Sequence, residues 1–290
     1  MTVVMRGETL LAEAAAALLA AGVSNGRQEA GWLLAHVLGE EPVTAQPCCS
    51  GAPLTAVVVA RFNELLERRL AGEPLQYILG DLDFHCVNLL VGPGVLIPRP
   101  ETEQLVDFAL ELYPGTGAIC DLCTGSGAIA LALAASLSQV AVTGVDLSPE
   151  ALVWARRNGE RLALPNVQFV LGDLFAPLPA AARFAMITAN PPYVTEEDYE
   201  HLDAVVRDYE PRVALVASEC GLAVIGRIAD GARRRLVPGG WLLCEIGEEQ
   251  GGEVGDILST YDYIDVAIRR DYAGKDRVAV ARWPGGDACR

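Results

Sequence analysis

Lysine is nearly missing from this chain of 290 residues; Lys275 is the only one. Lys and Arg together number 22 against 38 acidic residues, for a formal net charge of −16 and a pI near 4.6. A protein that grips a duplex neutralises several phosphates with basic side chains. The balance therefore counts against a nucleic-acid partner, and it favours a cationic ligand. Histidine is scarce too, limited to His36, His85 and His201. Long apolar runs are missing: the longest, Leu10 to Val23, is interrupted by Glu13 and falls short of the ~20 residues of a membrane span. No basic segment with a cleavage site opens the chain. These absences lead us to expect a soluble, cytoplasmic protein with no membrane partner. Aromatics make up 6% and hydrophobic residues 51%, so the core is built from Ala, Leu and Val.

Eight cysteines are present, and Cys120 and Cys123 form a CxxC. With no second CxxC and few histidines, a zinc site is not expected. Residues 118–123 read as a buried strand, on which positions three apart face opposite sides. The pair is read as strand cysteines in a reducing cytosol.

The length suits about two domains. The first seventy or so residues read as helices. Thr9 can cap one through Ala21, ended by Gly22; Asn25 can open a second that ends at Gly39. A looser stretch with Pro42, Pro47 and Pro53 follows. Thr55 starts a third helix, in which Phe62, Leu65, Leu66 and Leu70 recur at helical spacing. Residues 82–91 suggest short strands leading to Gly92-Pro93-Gly94. We expect a helical domain over 1–80, a hairpin linker over 81–94 and a catalytic domain over 95–290.

Beyond about residue 115, strands and helices alternate. Strands are expected at Ala118–Cys123, Val140–Val145, Val167–Leu171, Ala185–Ala189 and Trp241–Ile246. Helices are expected at Ala128–Leu137, Pro149–Leu162 and near Leu222–Leu236. The last two strands, Tyr263–Ile268 and Arg277–Ala281, resemble an antiparallel pair. This alternation implies an α/β fold, with a mostly parallel seven-stranded, Rossmann-like sheet covered on both faces.

Asp121-Leu122-Cys123-Thr124-Gly125-Ser126-Gly127 joins the first of these strands to its helix. Glycines there allow a sharp turn and a close approach by a ligand. Asp146 ends the next strand, where an acid can accept both hydroxyls of a ribose. The dinucleotide pattern GxGxxG is missing. The loop instead resembles that of class I methyltransferases, with Cys123 in place of its usual first glycine. The backbone at Cys123 is therefore expected to stay out of the left-handed region. Asp173, in Gly172-Asp173-Leu174-Phe175, suits the exocyclic amine of an adenine.

Asn190-Pro191-Pro192-Tyr193 follows the fourth strand. Two prolines fix their φ angles and extend the loop, leaving carbonyls near Asn190 and Pro191 without helical partners. A side-chain and a backbone carbonyl can then hold both hydrogens of a planar NH₂ group, with Tyr193 against its flat face. An amide nitrogen is a poor nucleophile, and acceptors placed for a pyramidal NH₂ favour a localised lone pair. With a sulfonium as leaving group, no metal is called for. The motif fits methyl transfer to glutamine, adenine or guanine and does not choose among them.

Four further segments carry a resemblance that covers nearly the whole chain. They are Gly72–Gly80 (GEPLQYILG), Leu96–Glu103 (LIPRPETE), Glu245-Ile246-Gly247 and Ala273–Arg277 (AGKDR). With the two motifs, the sequence resembles the release factor glutamine methyltransferase family (PrmC/HemK). The resemblance implies a helical domain, a hairpin linker and a class I methyltransferase domain. It also implies S-adenosyl-L-methionine as cofactor, S-adenosyl-L-homocysteine as product, and the glutamine of the Gly-Gly-Gln loop of class I release factors as substrate. By position, Asp121, Cys123, Thr124, Gly125, Ser126, Gly127, Asp146, Asp173, Leu174 and Asn190 would meet the cofactor. Asn190, Pro191, Pro192 and Tyr193 would hold the glutamine, with Asn190, Pro191 and Tyr193 as the catalytic set. Because such a target is a folded protein, we expect residues 1–80 to dock it rather than to serve only solubility or stability, and we expect a monomer. A nucleic-acid methyltransferase acting on the exocyclic amine of adenine or guanine shares both motifs, but ought to carry a basic recognition domain.

Overall fold

A computed structural model of the chain describes residues 6–40 and 54–286. Among these, the chain separates into two compact units. One runs to Gly80 and includes Ala204–Tyr209; the other holds Asp81–Asp203 and the chain from Glu210 onward. The expected loose stretch with Pro42, Pro47 and Pro53 lies outside the described residues, as do Cys48, Cys49 and Cys289.

The first unit contains α1 (Gly7–Ala20), α2 (Gly26–Leu38), α3 (Ala56–Leu70) and α4 (Leu75–Leu79). Leu10, Leu11, Ala14 and Leu18 recur on one face of α1 and bury against Ala30, Leu33, Leu34, Phe62 and Leu65. Such a stripe is what makes a short helix stable, because isolated helices of this length are marginal in water. Thr55 caps α3 as expected, its Oγ1 accepting from Val58 N at 3.3 Å. Thr9 does not cap α1. The helix begins at Gly7 behind Arg6, and Thr9 N already donates to the Arg6 carbonyl at 3.1 Å. Leu10 and Leu11 thereby gain a full turn before them.

The second unit opens with the antiparallel hairpin of β1 (Asp81–Phe84) and β2 (Val87–Leu90). Then come α5 (Pro100–Leu112), β3 (Ile119–Leu122), α6 (Ala128–Ser136), β4 (Val142–Asp146), α7 (Pro149–Arg161), β5 (Val167–Leu171), β6 (Phe184–Ala189) and α8 (Glu196–Glu200). The chain visits the first unit as α9 (Ala204–Tyr209). It returns through a 3-10 turn, Arg212–Ala214, to α10 (Ala223–Ala232), β7 (Leu236–Glu245), α11 (Gly251–Thr260), β8 (Ile264–Arg270) and β9 (Asp276–Arg282).

The seven strands lie in the order β5-β4-β3-β6-β7-β9-β8. Those from β5 to β7 are parallel, whereas β9 runs antiparallel to both β7 and β8. Every residue of β3 and β6 is buried, and these strands are apolar apart from Asp121 and Thr188, which hydrogen-bond to each other. Successive side chains alternate between two cores. Cys120, Leu122, Ile187 and Ala189 pack with α10 and α11, while Ile119 and Met186 pack with α5 and α6. No helix among the described residues is long and apolar enough to cross a membrane.

Candidate active site

After β3 the chain goes to β4 and β5 on one side, then crosses back to β6 on the other; β3 pairs with both β4 and β6. Loops leaving such a switch point diverge, and the crevice between them is where α/β sheets bind ligands. A cavity of about 260 Å³ lies there. Its wall is made of Cys123, Thr124, Gly125 and Ser126 after β3, Asp146 after β4, Asp173 and Leu174 after β5, and Asn190 and Pro192 after β6. Asp121, Gly127, Pro191 and Tyr193, expected with them, are not among the residues lining this cavity.

Asp121 works from beneath. It is fully buried, pairs in register with Gly144 and Thr188, and accepts from Thr124 Oγ1 at 2.6 Å and Thr188 Oγ1 at 2.8 Å. Burial pushes its carboxyl up to about 7, against the pull of those two hydroxyls. Asp146 lines the cavity and stitches two loops together. Its Oδ2 accepts from Gly125 N at 2.7 Å and its Oδ1 from Ser148 N at 2.9 Å. Burial raises its pKa, and the backbone N–H groups oppose the rise. A carboxylate oxygen has more than one acceptor site, so both oxygens can still receive a ligand hydroxyl. Gly125 has φ +57°, and a Cβ built there would find only Val95 Cγ2, at 4.0 Å. A side chain at that position would occupy the crevice.

Cys123 departs from expectation. Its φ is +55°, inside the left-handed region. The loop must turn immediately after Leu122 so that Thr124 N can donate to the Val145 carbonyl at 3.1 Å. That turn is kept despite a cost of about 1–3 kcal/mol for a residue with a Cβ. The turn also cancels the expected alternation of the CxxC: β3 stops at Leu122, and Cys123 packs against the same core as Cys120. Both thiols are free, and burial pushes both well above the usual range.

The Asn190–Tyr193 segment is held by residues that motif reading did not identify. Asn190 Nδ2 donates to Thr102 Oγ1 at 3.3 Å, and Thr102 donates to Glu245 Oε2 at 2.6 Å. Tyr193 OH donates to the other oxygen of Glu245 at 3.2 Å. Glu245 ends β7 and is 1% exposed; burial raises its pKa, opposed by Thr102 and by the charge of Arg277. Gln250 fixes the backbone, its Nε2 donating to the carbonyls of Tyr193 and Cys220, both at 3.1 Å. Gly221 lies so close that a Cβ would stand 2.0 Å from the Tyr193 carbonyl oxygen.

Asp173 pairs with Arg227 Nη2 at 2.6 Å, and both line the cavity. Arg99 pairs with Glu210 at 2.6 Å, and Glu210 also accepts from Ile97 N at 3.0 Å, closing the Leu96–Pro100 strap onto the rest of the site. Thr102 and Glu245 fall inside segments singled out by resemblance, so a signal existed for each. Arg227 lies on the amphipathic helix α10 and carried none.

The crevice, the acids at matching strand ends and the open space at Gly125 suit a nucleoside-bearing cation. Comparisons with known proteins agree. The PrmC N-terminal domain family matches residues 9–80, and a methyltransferase domain family matches residues 119–211. The release factor glutamine methyltransferase of Vibrio cholerae is 44% identical over 277 residues, covering 95% of this chain and 96% of that protein. The Escherichia coli release factor glutamine methyltransferase is 40% identical over 258 residues, covering 89% of this chain and 92% of its own length. Among solved structures, a methyltransferase from Pyrococcus furiosus superposes with a TM-score of 0.52 at 18% identity, covering 69% of this chain and 90% of that one. That likeness concerns the fold; the sequence relatives span both units, and the chain belongs to the release factor glutamine methyltransferase family.

Proposed function

We propose that the chain transfers a methyl group from S-adenosyl-L-methionine to the side-chain amide nitrogen of the glutamine in the Gly-Gly-Gln motif of class I peptide chain release factors. The observation that carries this reading is the placement of Asn190 on the wall of a crevice that also presents Asp146 and Asp173. When bound, S-adenosyl-L-methionine supplies a methyl group on a positively charged sulfur that departs as a neutral thioether. Asp146 would hold the ribose hydroxyls, and Thr124 to Ser126 and Leu174 would form the walls. Asp173 would accept from the adenine amine with Arg227 steadying its carboxylate.

Asn190 Oδ1 and the Pro191 carbonyl would accept the two hydrogens of the glutamine NH₂. They favour a pyramidal nitrogen, and that preference stabilises the transition state more than the ground state. Tyr193 keeps its proton, because burial raises the phenol's pKa, and a neutral ring is what it would present to the amide. Val95, with Leu96 and Pro98 of the strap, lines the same cavity and would help to keep water from the reacting atoms. The protein partner is favoured over nucleic acid by the charge of −16. The same reading places the enzyme in the cytoplasm as a monomer.

The test incubates labelled cofactor with the protein and either a class I release factor or nucleic acid, locating the methyl by mass spectrometry. Label on the Gly-Gly-Gln glutamine is expected. Label on an adenine or guanine instead would overturn the reading. Asn190→Ala should lower the rate by about 10²–10³, the usual cost of one acceptor or donor at a reacting centre, with cofactor affinity nearly unchanged.

A further inference from the structure

The two ends of an asparagine amide have nearly the same shape, so hydrogen-bond partners alone decide which end points where. Around Asn190 those partners form a chain with one direction. Glu245 is buried at the end of β7, and both its oxygens are engaged, by Thr102 Oγ1 at 2.6 Å and by Tyr193 OH at 3.2 Å. In its ionised form, which Thr102, the charge of Arg277 and Tyr193 favour against burial, the carboxylate only accepts. The single hydrogen of the Thr102 hydroxyl is therefore committed to Glu245, and its oxygen can only accept from Asn190. It receives Nδ2 at 3.3 Å. Asn190 and Thr102 both line the cavity; Glu245 stands behind them.

We propose that Glu245 is a positioning residue which, acting through Thr102, fixes the Asn190 amide so that Oδ1 rather than Nδ2 meets the substrate. The inference rests on the function proposed above, since it takes the substrate group to be a primary amide that donates two hydrogens. A flipped Asn190 would bring its own NH₂ against the substrate NH₂, donor facing donor, and the acceptor that shapes the reacting nitrogen would be lost. Oriented by Thr102, the amide is ready before substrate arrives. The same carboxylate also tethers Tyr193, so one buried acid orders two members of the Asn190–Tyr193 motif from a strand end on the far side of β6.

Two near-isosteric substitutions break the chain at different links. Thr102→Val removes the hydroxyl, and Glu245→Gln gives the carboxylate position hydrogens of its own, so that the direction is no longer forced. On a class I release factor each should lower kcat about tenfold or more, as small misplacements at a reacting centre do. KM for the factor and the cofactor dissociation constant should stay within about threefold. Thr102→Ser keeps the hydroxyl and should restore most of the lost rate.

Orientation can also be read without turnover, from side-chain amide NMR of the ligand-free protein. The Asn190 NH₂ signal, assigned by its loss in Asn190→Ala, should shift in Thr102→Val and Glu245→Gln and hold in Thr102→Ser. A signal indifferent to both substitutions overturns the proposal, as does a Thr102→Ser enzyme as slow as Thr102→Val. Wild-type protein that methylates no release factor, while the signal still shifts as described, would overturn the proposed function and leave the orientation of Asn190 supported.

Discussion

Asp121 sits where no water reaches it, and its two hydroxyl partners offset only part of the cost of its charge. Its pKa rises from an ordinary value near 3.8 to about 7. Between those values the folded protein keeps a proton that the unfolded chain has lost. Its contribution to stability is therefore complete below the lower value and disappears as pH rises through the higher one. Above that, the ionised carboxylate weighs against the fold by about 4 kcal/mol. Asp121→Asn keeps the shape and one acceptor but cannot titrate. Its stability relative to wild type should improve by about 2–3 kcal/mol between pH ~5 and pH ~8, read by urea unfolding at both. A difference that does not change with pH would mean that Asp121 does not titrate in that window. The sequence marks Asp121 as the start of the cofactor loop. Its burial follows from the expected buried strand over 118–123, but its partner was not legible, because Thr188 arrives from a strand 67 residues later. Cys123 teaches the converse: a side-chain preference is a weak guide where strand end, loop and neighbouring strand together require one turn.

At the scale of elements, most of the expected strands and helices lie within a few residues of the observed ones. However, β7 starts at Leu236 rather than Trp241, α5 and α11 were not among the expected helices, and the strand order that makes the switch-point crevice came from the structure. The pieces between β6 and α10 were not legible. α8 and α9 have 5 and 6 residues, none of them buried, so no periodic stripe existed to read. Thr102 and Glu245 each lay in a segment worth notice, but nothing in the sequence joins two residues 143 positions apart. Gln250 ties three such pieces together, since its Oε1 also accepts from Gly247 N at 2.9 Å while Nε2 holds Tyr193 and Cys220. Gln250→Ala should destabilise the fold by about 1 kcal/mol, the usual loss for hydrogen bonds to half-buried and exposed backbone. It should slow methyl transfer while leaving cofactor affinity unchanged. Gly221→Ala should do more, because its Cβ would displace the Tyr193 carbonyl. Calorimetry beside steady-state rates would check both, and a variant that loses cofactor binding in step with rate would contradict the assignment.

On the scale of the whole molecule, the first unit holds α9 as well as the N-terminal helices, with Tyr209 OH donating to the Ala71 carbonyl at 3.0 Å. If this unit docks the release factor, a chain beginning at Asp81 should bind cofactor yet methylate the intact factor poorly. A free Gly-Gly-Gln peptide should be a poor substrate for both forms, because ordering it costs about 1–2 kcal/mol per residue with no remote contacts to offset the loss. An equal fall on factor and peptide would instead assign the unit to supporting the α9 segment that follows the motif. Asp121 has a consequence at this scale as well. It holds Thr124, a wall of the cavity, and near neutrality it carries a proton part of the time. A positive charge entering the cavity favours the ionised form, so binding the sulfonium should expel a fraction of a proton to solvent, whereas the uncharged thioether product should expel less. Titration calorimetry in two buffers of different ionisation heat should register that difference, and Asp121→Asn should shrink it. The preference of the enzyme for fresh cofactor over spent cofactor would then strengthen as pH rises, with a carboxyl outside the binding surface setting the slope.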